Sequence, residues 1–335
     1  MSWLVTGASG FLGRHLLEQL SAEPVPLPAL ALLRNPAGWA ALGWTAALRN
    51  VQPIAGSLEQ PERWTESPPL DGLTGIFHLA AEVRHGPADA AAVQRTNVEG
   101  TLHMVRLAAR RRCRLVFVST SGTVGCSRRP GALPDEDAPF CEQEVAEWPY
   151  YRSKIEAERA ARALADQLGV QLVILRPPVL LGPGDHRYRS SQHVLRLLRG
   201  QVPFVIRGGM HFADVRDVAR AMLRAMQRET VRPVYHLPGT IGTIGGFYRE
   251  VARLAGRRPP RLVIPYPVAR LAAGVAARLG MRSLPEPRLI EMASRHWGLA
   301  TRYADELGYR SRPGSDTLRD TIDWLTANPP EPSRP

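Results

Sequence analysis

The feature that most constrains the fold is a glycine-rich segment near the start of the chain, Thr6-Gly7-Ala8-Ser9-Gly10-Phe11-Leu12-Gly13. It follows a short apolar run, and its glycines have the spacing GxxGxxG. In a strand–turn–helix unit, Gly7 permits a tight turn, Gly10 lets the backbone approach a pyrophosphate, and Gly13 lets helix and strand pack closely. The helix N-terminus then faces the phosphates. The segment predicts dinucleotide binding, with a purely structural turn as the alternative.

Predicted strands and helices alternate through the first half of the chain. The strands cover 3–6, 30–33, 51–55, 75–79, 115–120 and 170–176, and the helices cover 11–20, 88–112 and 150–168. Such alternation is typical of a parallel, doubly wound sheet. After Pro177 the pattern loosens, with a strand predicted at 234–237 and helices at 215–226, 246–255, 268–279 and 317–325. We therefore predict an α/β fold of Rossmann type.

The change of pattern also predicts how the chain divides. We expect residues 1–178 to form a Rossmann domain that binds the dinucleotide, with 213–238 returning to it. Residues 179–212 and 239–328 would form a smaller α/β substrate-binding lobe, and 329–335 a flexible tail.

Composition singles out one residue. Of the 43 basic residues only Lys154 is a lysine, in the run Tyr150-Tyr151-Arg152-Ser153-Lys154. An ammonium is a compact point charge, whereas a guanidinium is a planar fork. Tyr150 and Lys154 are four residues apart on a predicted helix, so they project from one face. A nearby ammonium lowers the pKa of a phenol from its usual value near 10. Tyr150 is thus predicted to be an acid/base group, with a surface tyrosine–cation pair as the alternative.

The formal net charge of +12 raises the question of a nucleic-acid partner. The arginines are spread along the chain rather than gathered in a patch with aromatic residues, so no nucleic-acid partner is expected. Three scattered cysteines, Cys113, Cys126 and Cys141, predict neither a disulfide framework nor a zinc site and fit a reducing cytoplasm. We expect a cytoplasmic enzyme without a metal, acting on a small-molecule substrate.

One apolar stretch bears on membrane contact. No run of about 18 uncharged apolar residues occurs, so a membrane-spanning helix is not expected. The nearest candidate, residues 262–281, is interrupted by Arg270 and Arg278. This stretch could lie weakly on a membrane surface with its arginines extended to the water, or it could pack over a substrate pocket.

Three further positions carry polar groups to the predicted site. The second strand ends in Leu33-Arg34-Asn35-Pro36, and a cation there suits the 2′-phosphate of NADP, so NADP(H) is predicted over NAD(H). Ser121 follows the strand at 115–120, at the sheet edge where ligands bind, and its hydroxyl can donate to a substrate carbonyl. A Ser/Thr turn is the alternative there. Asn97 could hold a water molecule that links the lysine to solvent.

Six segments, taken in order, resemble those of the extended short-chain dehydrogenase/reductase family, within the NAD-dependent epimerase/dehydratase superfamily. They are TGASGFLG at 6–13, HLAA at 78–81, TNVEGT at 96–101, STSGTVG at 119–125, YYRSK at 150–154 and LRPPVLLGPGD at 175–185. The similarity continues through GGMHFADVRDVARA at 208–221 and ADELGYRSRP at 304–313, so it covers nearly the whole chain.

The resemblance implies roles for individual residues. Ser121, Tyr150 and Lys154 would be the catalytic triad, and Asn97 would complete a tetrad. Lys154 would also hydrogen-bond the nicotinamide ribose. Besides the glycines, Arg34, Tyr150 and Lys154, the cofactor would contact residues along one edge of the sheet: Ser9, Phe11, Leu12, Ser57, Leu58, Leu79, Ala80, Ala81, Ser119, Pro177 and Val179.

Within the family, LLRNP at 32–36 resembles the dihydroflavonol 4-reductase relatives. RPPVLLGPGD at 176–185 is similar to the 3β-hydroxysteroid dehydrogenase and sterol dehydrogenase/decarboxylase branch. These branches imply a bulky, largely apolar ketone or alcohol (dihydroflavonol-, steroid- or polyketide-like) and a homodimer or monomer. The alternatives are an NAD-dependent nucleotide-sugar epimerase/dehydratase, a sterol dehydrogenase/decarboxylase and a cofactor sensor without catalysis.

Two departures from the family pattern stand out. The family often has Gly-Asp-Leu after the third strand, with the Asp on the adenine, whereas this chain has Gly56-Ser57-Leu58. That difference puts the adenine contact in doubt. The family also often has Val-Tyr-Gly after the catalytic serine, whereas this chain has Val124-Gly125-Cys126. Loss of the aromatic residue predicts an enlarged or reshaped substrate pocket.

Overall fold

A computed structural model of the protein describes residues 2–25, 27–278 and 287–330. Fourteen strands occur in these ranges: β1 Ser2–Thr6, β2 Ala29–Leu33, β3 Val51–Ala55, β4 Leu73–His78, β5 Arg114–Val118, β6 Cys126–Ser127, β7 Leu172–Arg176, β8 Val179–Leu181, β9 Phe204–Ile206, β10 Gly209–Asp214, β11 Val234–His236, β12 Thr240–Thr243, β13 Leu262–Ile264 and β14 His296–Trp297.

Eleven α-helices occur in the same ranges: α1 Phe11–Ala22, α2 Ala90–Gln94, α3 Gly100–Arg111, α4 Glu142–Val145, α5 Pro149–Leu168, α6 Gln192–Leu198, α7 Val215–Gln227, α8 Ile244–Leu254, α9 Tyr266–Arg278, α10 Pro287–Ala293 and α11 Gly314–Ala327.

The central sheet has seven strands in the order β3-β2-β1-β4-β5-β7-β11, and every neighbouring pair is parallel. The strand order reverses between β1 and β4. In sheets of this kind, ligands bind outside the carboxyl ends of the strands at that reversal. The predicted α/β fold with a Rossmann-type, doubly wound parallel sheet is confirmed.

Helices cover both faces of this sheet because successive strand residues point to opposite sides. In β1, Trp3 and Val5 belong to the apolar cluster that includes α1 and α7, whereas Leu4 belongs to the cluster that includes α3 and α5. Burial on both faces explains why the strands of this sheet read as continuous apolar runs rather than alternating ones.

The predicted helix over 88–112 is interrupted in the structure. α2 and α3 are joined by one π-helical turn, Arg95–Glu99, which contains the candidate residue Asn97. π-helical turns are rare in proteins, and those that occur are often found at functional sites. The wider turn brings Asn97 and Val98 into the interior, where both are buried.

The second half contains short strands that the sequence analysis did not predict. β8, β10 and β12 form a three-stranded sheet, β9 pairs with β13, and β6 pairs with β14. A separate apolar cluster joins β8 and β10 to α6, α8 and α11. β11 lies at the edge of the central sheet, while the proposed division into two domains stays a prediction.

Two sequence predictions reach the limits of the described ranges. The segment 262–281 contains β13 and α9, and its last residues, 279–281, lie outside the described part. Residues 331–335 of the predicted tail also lie outside it. Within the described residues, no helix is both long enough and apolar enough to cross a membrane.

Candidate active site

The glycine-rich segment forms a tight turn between β1 and α1. Gly7 has φ of +69°, and a Cβ there would lie 2.8 Å from the backbone nitrogen of Ala80. A Cβ on Gly13 would collide with the carbonyl oxygen of Gly7. The amide of Gly10 donates to the same oxygen at 2.9 Å and closes the turn. Larger side chains at Gly7 or Gly13 are therefore incompatible with this backbone.

The N-terminus of α1 is suited to an anion. Its N-cap is Gly10, no side chain caps the first turn, and that turn contains no acidic residue. Backbone N–H groups at such an end lack partners within the helix, and the helix dipole favours negative charge. The residues present therefore fit a dinucleotide pyrophosphate, with Phe11 and Leu12 in the first turn.

Thr6 joins this turn to the next strand across the reversal point. Its hydroxyl oxygen accepts hydrogen bonds from the amides of Leu79 and Ala80, each at 3.2 Å. The hydroxyl also pairs with Nδ1 of His78 at 2.8 Å. Burial lowers the pKa of His78 to about 3, so its imidazole is neutral. The ends of β1 and β4 are thereby fixed, with Ala81 following half-buried.

Two arginines come together beside the glycine-rich turn. Arg34 is exposed directly after β2. Arg187, from the segment after β8, donates to the hydroxyl of Ser9 at 3.1 Å. Burial lowers the pKa of Arg187, and the positive charges of Arg189 and Arg34 add to the effect. Arg187 was missed by the sequence analysis because 178 residues separate it from Ser9 and no local pattern links them.

The segment that carries Arg187 is attached to α1. Nε2 of His15 is 2.8 Å from the carbonyl oxygen of Pro183, and Arg14 donates to the carbonyl oxygen of Gly184 at 3.4 Å. The ring of His186 also lies 6.2 Å from that of Trp44. These contacts hold the segment against the helix that begins at the glycine-rich turn.

The third strand ends without the carboxylate that is frequent in the family. The hydroxyl of Ser57 accepts from the amide of Glu59 at 3.2 Å, and its carbonyl accepts from Nε1 of Trp64 at 2.9 Å. Leu58 is buried, and its carbonyl pairs with His103 at 2.9 Å. The segment is well fixed but offers a hydroxyl, not a charge.

Tyr150 lies in the first turn of α5, whose first residue is Pro149, a residue favoured at that position. The side chain is half-buried, and the Thr120 side chain lies near its hydroxyl. Burial raises the pKa of Tyr150 to about 12, and the neighbouring Thr120 hydroxyl opposes that rise. Thr120 was missed by the sequence analysis, which chose Ser121 from a run of three hydroxyl residues.

Lys154 is almost completely buried, with 2% of its surface exposed. Its Nζ donates to the carbonyl oxygen of Val118 at 2.8 Å and lies 4.3 Å from the ring centre of Phe117. Burial lowers its pKa to about 7, and Glu158 acts in the opposite direction. The expectation that Lys154 lowers the pKa of Tyr150 is wrong for this structure, because desolvation dominates and the ammonium is directed to the end of β5.

A buried ionic network lies one turn beyond Lys154. Glu158 has no exposed surface, accepts from Nη2 of Arg176 at 2.6 Å, and also accepts from the hydroxyl of Ser119. Nη1 of Arg176 is 3.1 Å from Nε2 of His236. Ser119 was predicted to contact the cofactor, but its hydroxyl is directed into this network, which leaves only its backbone for such a contact.

Ser121 and Asn97 are both buried beside these groups. The amide of Ser121 donates to the carbonyl of Pro177 at 2.8 Å, which joins the ends of β5 and β7. The Asn97 side chain accepts from the amide of Glu82 at 2.8 Å and donates to the Glu82 carbonyl and to the Ser153 hydroxyl. Both protons of the Asn97 amide are thus used within the protein, and the side chain joins the segment at Glu82 to α5; the water-holding role stays a prediction.

The aromatic residue that the family often has after the catalytic serine is replaced from elsewhere in the chain. A Cβ on Gly125 would lie 2.5 Å from the carbonyl oxygen of Gly298, because β14 pairs with β6 at this point. Trp297 places its ring 5.1 Å from that of Tyr151, and His85 lies 5.7 Å from both Tyr150 and Tyr151. The carbonyl of Gly298, just after β14, fills the space next to Gly125, while an enlarged or reshaped substrate pocket stays a prediction.

Comparisons with known proteins agree with this arrangement. The profile of the NAD dependent epimerase/dehydratase family matches residues 3–237. A putative dihydroflavonol 4-reductase of Synechocystis is 28% identical, over 96% of this chain and 94% of the relative. The 4-hydroxy-2-methyl-3-oxo-4-farnesyl-3,4-dihydroquinoline-1-oxide ketoreductase of Stigmatella aurantiaca is 30% identical, over 95% and 96%. The crystal structure of gox2253 superposes with a TM-score of 0.82 at 27% identity, covering 98% of both chains.

Proposed function

Because the chain belongs to the NAD dependent epimerase/dehydratase family, whose members are enzymes that use a nicotinamide dinucleotide, we propose that it is an NADP(H)-dependent oxidoreductase. It would interconvert a carbonyl group and a secondary alcohol. The observation that supports this best is Tyr150 at the start of α5 with Lys154 one turn along the same helix, where Lys154 donates to the last residue of β5 at the carboxyl edge of the sheet. The nicotinamide supplies or accepts the hydride when it is bound.

The residues of the chain move and hold the proton. With its pKa raised to about 12, the Tyr150 phenol stays protonated at neutral pH and can donate to a carbonyl oxygen in the direction of reduction. The Thr120 hydroxyl lowers the pKa of the phenol, and the Ser121 hydroxyl would bind the substrate oxygen. Lys154 would bind the ribose hydroxyls, as the resemblance implies, with Asn97 holding the adjoining segment in place.

Preference for NADP is supported by the two arginines beside the glycine-rich turn. Arg34 and Arg187 lie close enough for each charge to disfavour the other, and a bound phosphate would relieve that repulsion. Among the described residues, neither forms a salt bridge. A 2′-phosphate would meet both guanidinium groups and the Ser9 hydroxyl.

The cofactor proposal can be tested by binding alone. Calorimetry with 2′,5′-ADP and 5′-AMP isolates the contribution of the 2′-phosphate. We expect Arg34→Gln and Arg187→Gln each to weaken 2′,5′-ADP binding about tenfold, because a charge-assisted hydrogen bond is lost, and to leave 5′-AMP unchanged. Arg199→Gln, an exposed arginine at the end of α6, is the control. Equal affinities of the wild-type protein for both ligands would overturn the preference for NADP.

For the substrate we propose a bulky, largely apolar ketone or alcohol. The rings of His85 and Tyr151 contact the Tyr150 ring. Tyr151 in turn packs against Trp297 and Trp148. Val179 on β8 is 38% exposed and adds an aliphatic surface. Rings and aliphatic groups favour a flat or apolar ligand over a sugar.

The reaction is tested by NADPH consumption with a panel of steroid, dihydroflavonol and polyketide-like ketones. Tyr150→Phe removes the proton donor and keeps the ring, so turnover should fall by about two to four orders of magnitude. Tyr303→Phe, at a tyrosine that packs under Arg232, is the matched control. Full turnover by a folded Tyr150→Phe variant would show that the mechanism is wrong.

A second candidate follows from the family itself, whose description names epimerases and dehydratases. Such an enzyme would hold NAD tightly and regenerate it in each cycle. Arg34 opposes this assignment, because a carboxylate at that position is what the NAD ribose hydroxyls require. Co-purified NAD, together with conversion of a nucleotide sugar and no net NADPH consumption, would favour it over the reductase.

A further inference from the structure

Helix α9 buries small apolar side chains and exposes larger ones. Three of its alanines, Ala269, Ala273 and Ala276, are 3%, 1% and 5% exposed, whereas Val268, Leu271 and Val275 are 57%, 71% and 48% exposed. The exposed three follow the spacing i, i+3, i+7, so they lie on one side of the helix. A helix packed only against its own protein normally buries its larger apolar residues. The outer side of α9 therefore matches an apolar environment outside the chain.

The exposed surface extends beyond α9. Leu262 and Val263 in β13, just before the helix, are 63% and 55% exposed, and Leu289 on the neighbouring α10 is 41% exposed. We call these six side chains the α9 face: Leu262, Val263, Val268, Leu271, Val275 and Leu289. Single exposed apolar residues are ordinary on soluble proteins, whereas a group of this kind marks an interaction surface.

The charge along β13 and α9, which carry five of the six side chains of the α9 face, has one sign. Between residues 257 and 278 the sequence has no Asp or Glu and has five arginines: Arg257, Arg258, Arg261, Arg270 and Arg278. All five are exposed, and none forms a salt bridge with another described residue. The apolar surface is thus bordered by cations whose charges are available to a partner.

We propose that the α9 face binds the surface of an anionic lipid bilayer. The apolar side chains would enter the boundary between headgroups and acyl chains, and the arginines would meet lipid phosphates. With 13 residues, α9 is too short to span a bilayer, which needs about 20, and it would lie in the plane of the surface. Two copies of this face would bring two sets of arginines together, so charge disfavours a dimer through it.

The experiment is flotation with vesicles. The full-length protein is mixed with vesicles of phosphatidylcholine alone or of phosphatidylcholine with phosphatidylglycerol, at low and high salt. A triple variant, Val268→Ser/Leu271→Ser/Val275→Ser, removes the apolar side chains of α9. Val25→Ser/Leu168→Ser is the matched control, since both residues are exposed apolar positions outside the α9 face. Arg270→Gln/Arg278→Gln tests the charges.

We expect the wild-type protein to float with the anionic vesicles, to do so less at high salt, and to stay in solution with phosphatidylcholine alone. The triple variant should bind at least tenfold less, whereas the control should bind like wild type. The midpoint of thermal unfolding shows whether each variant is folded. If the midpoint of the triple variant falls below that of wild type, the single variant Leu271→Ser is used in its place.

No flotation with anionic vesicles, or undiminished flotation of the serine variants, would overturn the proposal. A wild-type dimer in sedimentation that the triple variant dissolves would assign the face to a second copy of the chain. NADPH-dependent turnover is a separate readout, so either proposal can fail alone.

Discussion

Replacing Lys154 with methionine is expected to stabilise the protein while it abolishes turnover. The lysine is 2% exposed, and burial lowers its pKa from 10.5 to about 7. That fall corresponds to about 5 kcal/mol at 1.36 kcal/mol for each pH unit. Methionine would also leave the Val118 carbonyl without its donor, which costs about 1–2 kcal/mol. The net gain in the free energy of unfolding below pH 7 is therefore about 3 kcal/mol.

The gain must depend on pH with a definite sign. Between about pH 7 and 10.5 the lysine is protonated in the unfolded chain and neutral in the folded one. The unfolded state then binds one more proton, so wild-type stability rises by about 1.4 kcal/mol per pH unit in this window. The methionine variant lacks this rise. Its advantage is full below pH 7, falls by about 1.4 kcal/mol per pH unit above that, and is gone at about pH 9, beyond which wild type is the more stable protein.

Urea denaturation of both proteins at pH 6, 8 and 10 measures the difference directly, because all other titrating groups are shared and cancel. NADPH consumption confirms that the variant is inactive. A methionine variant that is less stable than wild type at pH 6, or a difference that does not change with pH, would refute the assignment of a buried cation to Lys154.

Three further substitutions, the last with a control, test other parts of the chain. Thr120→Val removes the hydroxyl that lowers the pKa of Tyr150, so kcat should fall about tenfold. The rise of alcohol oxidation with pH, which follows deprotonation of Tyr150 as the base, should move to higher pH; an unchanged profile would argue against this effect of Thr120. Glu158→Gln leaves the guanidinium of Arg176 buried without its carboxylate, and urea denaturation should show a loss of about 3–5 kcal/mol, whereas a loss under 1 kcal/mol would mean that the pair contributes little. Gly13→Ala should lower the free energy of unfolding by about 1–3 kcal/mol, because its Cβ collides with the Gly7 carbonyl. The control is Gly274→Ala, where a Cβ meets nothing within 4 Å; it should leave the free energy of unfolding unchanged or raise it by up to about 1 kcal/mol.

The parts of the fold that could be predicted are those coded by neighbouring residues. The glycine spacing places Gly7, Gly10 and Gly13 in one turn, and the four-residue spacing places Tyr150 and Lys154 on one helix face. Both signals lie within a single strand–turn–helix unit or one helical turn. Long apolar strands and periodic helices of the central sheet were predicted for the same reason.

The parts that could not be predicted depend on residues far apart in the chain or on very short elements. Strands such as β6 and β14 have two residues each and carry no periodic signal. Three consecutive hydroxyl residues, Ser119, Thr120 and Ser121, cannot be distinguished by spacing. In the structure the Ser119 hydroxyl donates to Glu158, the Thr120 side chain lies near the Tyr150 hydroxyl, and the Ser121 amide donates to the Pro177 carbonyl. The pKa of Tyr150 depends on three-dimensional burial, which outweighs the effect expected from sequence.

The pairing of β6 with β14 has a consequence for how the chain can be recombined. The proposed acid/base residue Tyr150 comes from the first half of the sequence, but the ring that faces Tyr151 beside it comes from Trp297. A chimera that received residues 1–178 from a relative would combine the relative's residue at position 125 with the C-terminal segment of this chain. If that residue is aromatic, its side chain would collide with the Gly298 carbonyl, which lies 2.5 Å from a Cβ at this position. The substrate preference of such hybrids should therefore depend on how the residue at position 125 and the segment around Trp297 fit together, and should differ from the preference of either parent.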